Sequence, residues 1–221
     1  SDLLGLLANI STVALENAER SSALQQKFAE RTADLEQSNA ELTIVNRVEE
    51  WLVKQLDLPA IIDLVGGEIM RVFPAPPERA NVFSVFIALY DAPTNRIDFP
   101  FWVDGLGNRV HSPSRPLGDG LTSVIIRTRQ PLLFRTLDEQ KARGAVVLID
   151  EFTGPEDISQ SWMGVPILTG EAVTGAITVQ DPRQGIFTEA DVRLLGTLSA
   201  SLGVALENAR LFKAEQERVS E

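Results

Sequence analysis

Residues 161–181 read SWMGVPILTGEAVTGAITVQD, and their periodicity decides the fold. Residues 161–168 and 172–180 each alternate in character, and Thr169, Gly170 and Glu171 lie between them. Two alternating runs around a short glycine-containing turn spell a β-hairpin. Successive strand side chains point to opposite faces, so Trp162, Gly164 and Pro166 share one side and Met163, Val165 and Ile167 the other.

Working outward, Thr188 is placed to cap a helix running to about Val219, with Glu189 and Asp191 in its first turn and Val192, Leu195, Leu198, Leu202 and Leu206 among its apolar positions. Upstream, residues 118–129 (GDGLTSVIIRTR) predict a glycine turn feeding a short helix. A strand over 131–134, a short helix near 138–143 and a strand over 145–149 follow. Residues 81–90 and 96–103 read as two strands joined by a turn at Asp91, Pro93 and Asn95. Strict alternation along the second puts Asp98, Pro100 and Trp102 on one face and Ile97, Phe99, Phe101 and Val103 on the other. A helix over 61–72 ends before Pro74. Strand blocks set between helices and joined by short turns describe an α/β sandwich on a largely antiparallel sheet. Residues 82–89 are apolar on both faces, so one side of the sheet needs helices and the other needs loops around a pocket.

The first 56 residues have a different period. From Leu3 to Leu56 there is no proline and only Gly5, enough for one helix of about 80 Å at ~1.5 Å per residue. Alternating steps of four and three give a seam in which 11 of 16 positions are apolar, among them Leu24, Phe28, Leu35, Leu42, Val45, Leu52 and Leu56. Asn17, Ser21, Arg31, Ser38 and Glu49 interrupt it and weaken the coil. This pattern predicts a weakly held coiled coil, read as a parallel homodimer. Residues 2–19 also match residues 193–210 at 10 of 18 positions, including LLG and an intact VALENA. Such a repeat predicts that residues 1–20 are the end of the last helix of an upstream copy of the domain, within a tandem array.

The hairpin stretch, followed by Phe187, Asp191 and the helix ending VALENARLF, resembles the C-terminal half of a GAF domain, and GDGLTSVIIRTRQPLLF resembles the segment before it. The likeness covers about residues 58–213. It implies a six-stranded antiparallel sheet with the terminal helices on one face and a loop-covered small-ligand pocket on the other. It also implies dimerisation through those helices and signalling along coiled linkers. The expected organisation is residues 1–20 as the tail of a preceding GAF domain, 21–56 as a coiled-coil signalling linker, 57–213 as the GAF domain and 214–221 as the start of the next linker helix. The segment NRVEEWLVKQLDLPAIIDLVGGEIMRVF looks like parts of bacterial multi-GAF proteins that end in histidine kinase or adenylate or diguanylate cyclase domains. The expected function is therefore a non-catalytic sensory module that relays small-molecule binding to such an output domain. The alternative is a structural dimerisation module without a ligand.

Composition narrows the chemistry. Twenty Lys and Arg against 31 Asp and Glu leave a net charge of −11, which argues against a nucleic-acid partner. No apolar run reaches the roughly 20 residues of a membrane span, and a cytoplasmic location without membrane contact is expected. With no cysteine, a covalent bilin attached through a thiol and cysteine-based methionine-sulfoxide reduction are both excluded. A single histidine, His111, leaves neither a His-rich metal site nor an independent catalytic triad. Haem held by His111 would need a large apolar pocket around it, and the cofactor, if any, is left unnamed. Cyclic-nucleotide GAF domains carry an Asn-Lys-Phe-Asp-Glu signature, and of the matching places here only Phe187 and Asp191 fit. The structural reading is a core plug for Phe187 and a first-turn carboxylate for Asp191.

Candidate ligand contacts are Arg109, His111 and Arg115, a cationic cluster in the loop GLGNRVHSPSRPLGDG, with Tyr90 and Asp104 at strand ends. Trp102 and Trp162 join them on the condition that their faces look away from the terminal helices.

Overall fold

A computed structural model of the chain describes residues 57–146 and 158–219. The seam at Leu24, Phe28, Leu35, Leu42, Val45, Leu52 and Leu56, the first copy of the repeat, and residues 147–149 lie outside the described residues. The elements in chain order are α1 (Leu58–Val72), a 3-10 turn (Pro77–Arg79), β1 (Ser84–Asp91), β2 (Arg96–Asp104), β3 (Arg115–Pro116), α2 (Leu121–Thr128), β4 (Leu132–Phe134), α3 (Leu137–Ala142), β5 (Ser161–Thr169), β6 (Ala172–Asp181) and α4 (Glu189–Val219). The strands form a six-stranded sheet in the order β3-β2-β1-β6-β5-β4, and every neighbouring pair is antiparallel.

Local chemistry sets the helix starts. Asp57 caps α1 by accepting from the Ala60 N–H at 3.0 Å. Thr136 and Glu139 form a reciprocal capping box on α3. At α4 the Asp191 carboxylate accepts from the Thr188 N–H at 2.8 Å while the Thr188 hydroxyl accepts from the Asp191 N–H at 3.3 Å. Asp191 is thus a capping residue. Phe187 is buried edge-on to Phe73, with ring centroids 6.4 Å apart.

The main core lies between the sheet and the two terminal helices. Ile61, Ile62, Val65 and Ile69 of α1 and Leu195, Leu198, Leu202 and Ala205 of α4 close over Val85, Ile87, Met163, Val165, Ile167, Ile177 and Val179. The contact between α4 and β5 is very close. The Ser199 hydroxyl donates to the Pro166 carbonyl at 2.7 Å, and a Cβ at Gly203 would stand 2.1 Å from the Leu168 carbonyl oxygen. Both carbonyls lie past Gly164, where the pairing with β4 ends. On the opposite face α2 covers part of the sheet through Leu121, Ile125 and Ile126.

Two expectations are corrected. The sixth strand is β3, two residues paired with Arg96 and Ile97, whereas Ala145 and Val146 of the expected 145–149 strand are not in the sheet. Strict alternation also fails in β2. Its register with β1 steps from Ile87↔Phe101 to Leu89↔Asp98, so Phe99 and Pro100 together oppose Ala88. This is a β-bulge at a proline, which has no N–H to give the ladder. The slip turns Ile97 and Phe99 to the same side as Trp102, with Phe86 and Ala88, and leaves Phe101 and Val103 under the helices.

Candidate functional site

The face turned away from α1 and α4 carries a cavity of about 350 Å³. Strand register builds its floor as two rows across the sheet. In one, Asp104, Ser84, Gln180 and Trp162 stand side by side on β2, β1, β6 and β5. In the other, Trp102, Phe86, Thr178 and Gly164 do the same. Phe86 and Trp102 lie with ring centroids 4.9 Å apart, and Phe99, brought over by the bulge, is 5.6 Å from Trp102. At the other end Trp162 is 4% exposed and packs with Leu121, Ile125 and Ala176. Gly164 makes room for it, because a Cβ there would meet the Trp162 ring and Ile125 at 2.6 Å.

The walls come from the turn before α2, from α3 and from residues 158–159. Gly120 begins α2 without a side-chain cap, and Leu121, Thr122 and Ser123 line the cavity. Gln140 of α3 is buried and donates to the Ser159 and Gln160 carbonyls, which fixes α3 against the lead into β5. On the floor, neither the Ser84 hydroxyl nor the Gln180 amide has a hydrogen-bond partner among the described residues. The buried Thr178 hydroxyl is likewise unpartnered.

Of the seven predicted contacts, Trp102, Asp104, Arg115 and Trp162 line the cavity. Both tryptophans therefore meet the condition set for them. The Asp104 carboxylate is already engaged, accepting from the Leu106 and Asn108 N–H groups at 2.9 and 2.8 Å and from the Asn108 side chain at 2.8 Å. Arg115 reaches the Ser112 hydroxyl at 2.6 Å and lies over the Phe99 ring at 4.7 Å, with no ion pair among the described residues. Three others sit elsewhere. Arg109 pairs with Asp63 of α1 and stacks over Phe101, 4.9 Å from its centroid, on the helix side of the sheet. The Tyr90 hydroxyl donates to Asn95 across the β1–β2 turn at 3.0 Å. His111 is exposed in its loop and lines no part of the cavity. The cationic cluster is split because Val103 bridges Arg109, which directs it toward α1, whereas Arg115 pairs with Ile97 from β3.

Ser84, Phe86, Phe99, Ser123, Gln140 and Gln180 are lining residues that sequence reading missed. Among the described residues no group of three or more His, Asp or Glu side chains is placed to hold a metal ion. No described helix is long and apolar enough to cross a membrane.

The family model of the GAF domain matches residues 56–207. The chain belongs to the GAF family. No curated protein matches it in sequence. Among solved structures it is similar to the GAF domain of a phosphoenolpyruvate-protein phosphotransferase from Coxiella burnetii, with a TM-score of 0.61 and 16% identity over 79% of this chain and 96% of that one. A methyl-accepting chemotaxis protein gives 0.58 and 16% over 77% and 99%. A free methionine-R-sulfoxide reductase from Neisseria meningitidis, solved with its substrate, gives 0.59 and 15% over 77% and 90%. At these identities the likeness is one of fold, and this GAF domain contains no cysteine.

Proposed function

We propose that this GAF domain is a regulatory module of a larger bacterial signalling protein. A small molecule enters the cavity, and its occupancy is passed through dimeric helices to an output domain of the histidine-kinase or nucleotide-cyclase type. The chain itself performs no catalysis and works in the cytoplasm. The observation that carries this reading is that cavity and helix share a strand. Trp162 of β5 forms one end of the cavity, while Pro166 and Leu168 of the same strand meet α4. A ligand with different affinities for two arrangements of that contact shifts their populations.

The organisation proposed for the remainder is residues 1–20 as the tail of a preceding GAF domain, 21–56 as a coiled linker and 214–221 as the beginning of the next. The repeat supports this. Leu4, Leu7 and Ala14 occupy the places of Leu195, Leu198 and Ala205, which are at most 2% exposed in α4. Ser11 and Thr12 stand where α4 has Leu202 and Gly203, so the two copies differ in sequence at that place.

Lack of native cysteine makes the test direct. In Leu42→Cys, mild oxidation should give one disulfide-linked dimer, and native mass spectrometry of the unmodified chain should give twice the subunit mass with a retained small molecule. A strictly monomeric species with no cross-link at high concentration would sink the relay.

A further inference from the structure

We infer that the occupant of the cavity is a small planar aromatic acid of one or two rings, with its carboxylate on Arg115 and a polar ring substituent on Ser84 and Gln180. The inference rests on the cavity being the sensory pocket and adds the chemistry of what enters it.

The shape of the ligand follows from the walls. The Phe86, Phe99 and Trp102 rings, with centroids 4.9 to 5.7 Å apart, make one end and Trp162 makes the other, so a guest lying between them meets an aromatic ring at each end. The volume, about 350 Å³, is near the lower bound of ~300–1,000 Å³ for small-molecule pockets, which fits one or two rings. Between the two aromatic ends the floor carries the polar side chains of Ser84 and Gln180. Ser84 is 9% exposed, and neither its hydroxyl nor the Gln180 amide makes a hydrogen bond with a described residue. A guest with a hydroxyl or ring N–H at its edge satisfies these groups, and a bare hydrocarbon leaves them desolvated and unpaired.

The charge of the ligand follows from what is already neutralised. Asp104 accepts three loop hydrogen bonds, so its carboxylate is in use. Among the described residues Arg115 has the Ser112 hydroxyl and the face of Phe99 but no anion. With the guanidinium on the Phe99 ring, a cationic guest in the aromatic wall would meet a like charge. Among the described residues Asp119, beside the start of α2, is the other ionisable group on the lining, and it makes the opposite assignment testable.

Calorimetric titration of the whole chain with ligands that keep the ring and change only the charge separates these cases. The two-ring set is indole-3-acetate, indole-3-acetamide and tryptamine, the one-ring pair is 4-hydroxybenzoate and 4-hydroxybenzamide, and succinate is the acid without a ring. At least one aromatic acid should bind about tenfold more tightly than its amide, the increment of one charge-assisted hydrogen bond, and more tightly than succinate. Arg115→Gln should erase that preference, the acid losing more affinity than its amide. Ser84→Ala should weaken 4-hydroxybenzoate more than benzoate. Equal binding of acid and amide, tighter binding of tryptamine, succinate binding as well as the aromatic acids, or no heat from any acid would each overturn the inference. Retention of a non-aromatic molecule in native mass spectrometry would overturn it too and leave the sensory reading standing, which fails instead if the cavity retains and binds nothing.

Discussion

Removing the Asp181 carboxylate should cost about 2–3 kcal/mol of stability, because hydrogen bonds to a charged acceptor are worth about 1.5–3 kcal/mol each and several end there. Asp181 has no exposed surface, and it accepts from the Arg183 N–H at 2.8 Å, from Nε at 3.0 Å and from the terminal guanidinium nitrogen at 2.9 Å. The same hydrogen bonds hold the Arg183 guanidinium above its ordinary value. Half of the Arg183 side chain is in water and keeps its solvation when its partner is lost, so the penalty stays below that of a stranded buried charge. Urea unfolding of Asp181→Ala against the parent checks the figure. At this scale the sequence spoke for some residues and not for others. Phe187 was legible as a core plug and Asp191 as a first-turn carboxylate, the latter because its partner Thr188 is three positions away. Ser84 and Gln180 were not legible, because what makes them floor residues is their register with Asp104 and Trp162 on other strands.

Two glycines of α4 should respond to alanine with opposite signs. A Cβ at Gly203 would fall 2.1 Å from the Leu168 carbonyl, a backbone atom that moves only with its strand, so Gly203→Ala should destabilise by about 1–3 kcal/mol. Nothing lies within 4 Å of a Cβ at Gly196, and Gly196→Ala should stabilise by about 0.5–1 kcal/mol through helix propensity. Thermal unfolding of the pair reads the difference directly, and a shared sign would refute the close approach. The long helix, the hairpin and the short helices were legible because each repeats a period or begins with a cap. β3 was not, since two residues carry no period, and it is a strand only because Ile97 and Arg96 pair with it. The β2 bulge was hidden for the opposite reason. RIDFPFWV keeps an alternation that looks regular, and Pro100 is the single local sign that the ladder breaks.

At the level of the whole molecule, the outer side of α4 keeps Val204, Leu211 and Phe212 at least half exposed. They fall on one helical face at spacings of seven and eight, the stripe expected of a helix with a neighbour to meet. If the subunits join there, Val204→Glu with Leu211→Glu should convert the dimer to a monomer in analytical ultracentrifugation without changing the unfolding temperature by more than about 2 °C, as these side chains are outside the core. A sedimentation coefficient that the two substitutions leave unaltered would rule out a subunit contact on this face. The way α4 is seated on β5 limits how such a pair could move. Rolling the helix about its own long axis would bring Leu202 or Val204 against the Leu168 carbonyl, where only a hydrogen fits, and would tear Ser199 from Pro166. Spin is therefore blocked, the same two contacts resist a lengthwise slide, and any disturbance passed on from Trp162 would have to carry α4 and β5 together.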